Sequence, residues 1–232
     1  MRRLLFILAA CGGASSPPHA ASSSSESEHH HHGGSHEPLG HRFEHADEWA
    51  PKFDDPKRDA WQQPDRVVAA LELAPAMTVA DIGAGTGYFE ARLSKAVGAT
   101  GKVLALDVEP DMVRYMGERA AREGTPNVEA RVSTPDDPTL AAASVDRILI
   151  VDTWHHIPER EAYAKKLAAA LKPGGAVFVV DFTQETDKGP PRAHRIPPDQ
   201  VKRELEAGGL TTSVVDVGLP DQFVIKGVAS AK

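Results

Sequence analysis

The sequence predicts an α/β protein: a doubly wound, mostly parallel sheet of seven strands that ends in an antiparallel hairpin. Three observations lead there. From Met77 onward, short apolar runs alternate with amphipathic stretches, the pattern of buried strands joined by covering helices. The first of these runs turns through Gly83, Gly85 and Gly87 into its helix. The composition, 41% hydrophobic and 25% charged over 232 residues, is that of an ordinary globular domain.

Taken in order, residues 64–73 should form a helix whose Val67, Val68 and Leu71 face inward. Strands are expected at 78–82, 102–107, 128–132, 146–151 and 176–182, each a short run rich in Val, Ile, Leu and Ala. Helices fill 87–97, 110–123, 159–171 and 198–207. The last has Pro197-Pro198 at its start and Gly208-Gly209 at its end. Strands at 211–217 and 222–229 form the closing hairpin. Ahead of the core, residues 39–75 carry Trp49 and Trp61 among charges and suit either a lid over a cleft or a helix packed on the sheet edge. The folded domain proper is 76–232.

The opening residues read differently. Arg2 and Arg3 precede an apolar run, Leu4 to Ala10, and then the chain's single cysteine, Cys11. Leu8-Ala9-Ala10-Cys11 resembles a bacterial lipobox, which implies a signal peptide over 1–11 and a lipid anchor on Cys11. Gly12 then favours the outer membrane on the periplasmic side, and the alternative is a cytoplasmic chain. Residues 12–38 are rich in Ser, Gly, Pro and His and should form a disordered tether. Eight of the eleven histidines lie at or before His45, His29 to His32 among them. The run is read as a spacer rather than a metal site, since it implies no fixed geometry. A net charge of -7 argues against non-specific nucleic-acid binding, and one cysteine excludes an internal disulfide.

The glycine turn carries the chemistry. Asp81-x-Gly83-x-Gly85-x-Gly87 departs from the dinucleotide fingerprint, which needs glycine or alanine where Tyr88 stands. The pattern resembles the class I S-adenosylmethionine-dependent methyltransferases. "KVLALDVEPDMV", "STPDDPTL", "SVDRILIVDTWHHIP" and "LAAALKPGGAVFVVDF" extend that resemblance over residues 58–227. It implies a Rossmann-like fold and S-adenosylmethionine as cofactor. Its methionine carboxylate is expected at the N-terminal end of the glycine-loop helix, with Asp81 holding the ammonium. Asp107 takes the ribose hydroxyls, with Val108 beside it. Asp136, or Asp137 close behind, is placed against the adenine amino group, and Asp152 joins the cofactor contacts.

Methyl transfer needs alignment and dryness, and a base only where the acceptor carries a proton. The candidates are His155, His156 and His194, with a backbone-bonding role as the alternative for each. Trp154 is a candidate for stacking on adenine or lining the pocket. Arg195, in the long polar loop after the fifth strand, could meet an anionic substrate or an acid. The layout resembles quinone-biosynthesis and other small-molecule enzymes and lacks the consecutive cysteines expected of arsenic methylation. The expected function is therefore methyl transfer to a small molecule. The alternative is a non-catalytic cofactor- or metal-binding envelope lipoprotein that uses the His-rich tether.

Overall fold

The computed structural model describes residues 43–229. The leader, Cys11 and the His-rich tether lie outside the described residues. Three short helices open the described chain: α1 (Ala46–Phe53), α2 (Arg58–Gln62) and α3 (Pro64–Ala70). The alternating core follows as β1 (Thr78–Ile82), α4 (Glu90–Val97), β2 (Lys102–Asp107), α5 (Pro110–Glu123), β3 (Val128–Val132) and β4 (Val145–Val151). It continues through α6 (Arg160–Ala170), β5 (Leu171–Phe182), α7 (Pro198–Ala207), β6 (Leu210–Val214) and β7 (Gln222–Ala229).

The seven strands form one sheet in the order β3-β2-β1-β4-β5-β7-β6. Neighbours from β3 to β5 pair in parallel, and β7 runs antiparallel to both β5 and β6. The chain steps outward from β1 through β2 to β3, then restarts on the other side at β4. That reversal between β1 and β4 opens a crevice at the carboxyl ends of the strands.

Period-two alternation divides the core between the two faces of the sheet. Ile148 and Ile150 face Leu167, Val201 and Leu205 of α6 and α7. Leu149 and Val151 point the other way, toward Val67 and Leu71 of α3 and Leu93 of α4. Proline at the first position starts α5 and α7, and Gly124, at φ 67, ends α5.

Two boundaries depart from expectation for physical reasons. The helix expected from residue 87 begins at Glu90, because Gly87 has φ 85 and cannot be helical. Strand β5 begins at Leu171 rather than at residue 176: Leu171 pairs with Val145, and the register then shifts across Lys-Pro-Gly-Gly.

Phe178 is fully buried at the centre of the sheet. Phe178→Ala should lower unfolding free energy by about 3–5 kcal/mol, read from urea denaturation of the full chain. A loss below about 1 kcal/mol would show that the packing assigned to this face is wrong.

Candidate functional site

The site is built on the carboxyl edges of β1, β2, β4 and β5. After β1 the backbone turns sharply, with Gly83 N and Ala84 N both donating to Leu106 O. A β-carbon at Gly83 would lie 2.3 Å from Thr153 Oγ1, so only glycine fits between the β1 and β4 turns. Gly85, at φ 59, donates its N–H to Asp107 Oδ2 at 2.9 Å, and a β-carbon there would meet the Phe53 ring at 3.4 Å.

Acids gather around this loop. Asp107 is buried, and its Oδ1 accepts from Glu109 N at 3.0 Å. Loss of water raises its pKa, against the pull of these backbone donors. Asp81 is buried directly before the turn, with Oδ2 lacking any donor. Val108, next to Asp107, is 44% exposed, a bare apolar surface at the rim.

One strand further on, Asp152 follows β4 at φ 54, outside the range most side chains adopt. It accepts a hydrogen bond from Gln222 Nε2, and Gln222 Oε1 in turn accepts from Gln62 Nε2 at 2.6 Å. Desolvation raises the Asp152 pKa, while Arg58, whose Nη2 lies 3.5 Å from Asp152 Oδ2, opposes the rise. Next to it, His155 Nδ1 lies 3.0 Å from both oxygens of Asp181 at the end of β5. Burial alone would lower the His155 pKa, but the Asp181 hydrogen bond and charge outweigh burial and raise it. With a carboxylate on Nδ1, the ring proton sits on that nitrogen. The His156 ring stands 4.3 Å from that of His155 and edge-on to Phe43.

The segment 46–62 packs on the glycine loop. Asp54 accepts from Thr86 Oγ1 at 3.0 Å and from Arg119 at 2.8 Å, and Tyr88 hydroxyl donates to Asp59. Arg58 stands 4.1 Å above the Tyr88 ring and donates to Phe53 O and Gln62 Oε1. None of Arg58, Asp54, Gln62 or Gln222 was singled out by sequence. A cation among acids just ahead of the glycine loop was the one signal available, and only for Arg58.

The expected roles of Trp154 and Arg195 are corrected. Trp154 is fully buried and donates Nε1 to Glu204 Oε2 at 2.8 Å, so it faces α7 rather than a ligand. Arg195 meets no acid. It donates to the carbonyls of Pro190, Thr183, Gln184, Thr186 and Lys188, because the loop 183–196 curls around its guanidinium. Asp136 sits on an exposed turn, where its Oδ1 accepts from Thr134 Oγ1, and Asp137 pairs with Lys166. His194 ends an exposed single turn, Arg192–His194. The helix after the glycine loop, α4, begins at buried Glu90.

A parallel sheet that reverses between β1 and β4, with a glycine loop after β1, a buried acid ending β2 and an antiparallel β7 beside β5, matches the fold of the class I S-adenosylmethionine-dependent methyltransferases. The comparisons agree. The methyltransferase domain family matches residues 79–175. A solved S-adenosylmethionine-dependent methyltransferase from Aquifex aeolicus is 32% identical, with a TM-score of 0.74 over 80% of this chain and 99% of its own. The ubiquinone/menaquinone biosynthesis C-methyltransferase of Hydrogenovibrio crunogenus is 29% identical over 50% of this chain and 48% of its own length. The arsenite methyltransferase of Halobacterium salinarum is 30% identical over 50% of this chain and 30% of its own. The match thus spans about half or less of these curated relatives. The chain belongs to the S-adenosylmethionine-dependent methyltransferases, and its cofactor is S-adenosylmethionine. The residues present fit that molecule: among the described residues, an unpartnered buried carboxylate oxygen on Asp81, paired oxygens on Asp107, bare Val108, and a glycine loop that leaves no room for a β-carbon at Gly83.

Asp107→Ala removes both carboxylate acceptors at the end of β2. Isothermal titration with S-adenosylhomocysteine should show at least about a tenfold loss of affinity, the scale of one charged hydrogen bond. Unchanged affinity would remove Asp107 from the cofactor site.

Proposed function

We propose that this chain transfers a methyl group to a small molecule whose accepting atom is activated by loss of a proton, such as a hydroxylated aromatic ring. The observation that carries the reading is the buried His155–Asp181 pair, on the same sheet edge as the glycine loop. The cofactor supplies a sulfonium methyl, which needs an aligned nucleophile and little else. Asp107 and Asp81 hold the two ends of the cofactor's polar frame. Arg58, bonded to Phe53 O and Gln62 and 3.5 Å from Asp152, brings a positive charge to the same cleft. Segment 46–62 covers the loop and keeps water out.

Asp181 orients His155 and makes it more basic, so the ring takes a proton from the acceptor at Nε2 and returns it to solvent after transfer. Asp152, Gln222 and Gln62 form a polar wall beside it. His156 and His194 are assigned no proton transfer. The quinone methyltransferase among the relatives supports an aromatic acceptor over arsenite, since the one cysteine, Cys11, is far in sequence from these residues. For location we propose an envelope-anchored protein, supported by the lipobox-like Leu8 to Cys11. An acylated Cys11 peptide from the membrane fraction is expected by mass spectrometry, and an unprocessed Met1 peptide in the cytosol would refute it.

The base must be unprotonated, so kcat with a phenolic acceptor should rise with pH through the elevated His155 pKa. Asp181→Asn removes what raises that pKa. The rising limb should then move to lower pH while the plateau falls by about 10–100-fold. An unmoved limb would show that His155 is not the base.

A further inference from the structure

Two buried acids meet beneath the glycine loop, and the mechanism above uses only one of them. Asp81 is 2% exposed and Glu90, the first residue of α4, is 4% exposed. Among the described residues, the buried side-chain oxygens without a hydrogen-bond partner are Asp81 Oδ2 and both oxygens of Glu90. The two carboxyls are hydrogen-bonding neighbours once one is protonated. A β-carbon on Gly87 would lie 3.3 Å from Glu90 Oε2, which places Glu90 directly against the loop. Two adjoining carboxylates with three donor-less buried oxygens cannot both stay ionised.

We propose that Glu90 is a neutral acid whose proton bridges to Asp81, so that the pair presents a single negative charge, on Asp81, to the α-ammonium of the cofactor. This rests on the cofactor reading above and makes Glu90 a positioning residue. The surrounding charges agree with that division. From α2, Arg58 favours the ionised form of Asp81, while Asp107 on β2 opposes it. From α5, Arg119 faces Glu90, but its guanidinium is already paired with Asp54 and Glu123. Burial raises both carboxyls, and the bond between them lowers Asp81 and raises Glu90. Both oxygens of Glu90 lack a donor where Asp81 has one such oxygen, so the last proton stays on Glu90. At acid pH Asp81 is protonated too, and when the ammonium docks that proton leaves for solvent while Glu90 keeps its own.

The full-length protein is titrated with S-adenosylhomocysteine from about pH 5.5 to about pH 8, below the range where an α-ammonium is mostly lost. Wild-type affinity should fall toward acid pH, approaching tenfold per pH unit, well above the ordinary carboxylate range. Glu90→Gln keeps the donor and should stay within about threefold of wild type, with the same profile. Glu90→Leu should bind at least about tenfold more weakly, with its profile displaced to higher pH. A pH-independent wild-type affinity, or equal loss in the two variants, overturns the proposal. Infrared spectra of the cofactor-free protein at about pH 8 test the proton independently of binding, and decide the matter if Glu90→Leu does not fold. A protonated-carboxyl stretch should be present in wild type and absent in Glu90→Gln. Its absence from wild type overturns the proposal. If the stretch is present but no form binds S-adenosylhomocysteine, the cofactor reading fails, and with it the role given to Asp81.

Discussion

The close approach of Gly83 to Thr153 ties the two halves of this protein together. The turns after β1 and β4 press against each other at the point where the sheet reverses direction, and a single β-carbon at residue 83 would force them apart. Because that contact holds, the loop leaving β1 bends toward β2, and Gly85 reaches the carboxylate of Asp107. The same contact fixes the start of the β4 turn, from which Asp152 and His155 extend toward β5. Cofactor side and acceptor side are thereby registered through the packing of the Thr153 side chain against the Gly83 backbone.

The second governing feature is concentrated negative charge in a dry place. Asp81, Glu90, Asp107, Asp152 and Asp181 all crowd the carboxyl edges of the strands or the helix just behind them. Such a cluster disfavours the ligand-free protein, since each desolvated carboxylate resists ionisation. The segment ahead of the core answers this with Arg58, which acts on two of the carboxylates, Asp81 and Asp152, and is itself held by Tyr88 and Gln62. Stability given up at the strand ends becomes affinity for a molecule that brings a sulfonium and an ammonium of its own.

Much of the frame was legible in the residues. β1, β2, β3 and α5 fall where apolar period and terminal proline or glycine put them, because each is bounded by residues whose backbone preference is strong. The acids at 81 and 107 were legible for a related reason: position at a strand end constrains what a carboxylate can touch. What escaped was contact between distant segments. Gln62 and Gln222 are 160 residues apart and meet only because the opening helices fold back over β7. Trp154 misled because a tryptophan beside a cleft looks like a stacking platform, yet its indole N–H found a buried glutamate on α7.

The loop after β5 has a consequence for how such a protein can change. At its centre Arg195 grips five main-chain carbonyls, and the side chains of Gln184, Thr186, Lys188 and Arg192 add bonds of their own. The residues left out of the task of shaping the loop are Glu185, Asp187 and Ala193. They can drift, or be randomised in a library, while the scaffold that presents them persists. Selection for a new acceptor has a place to act without first dismantling the fold.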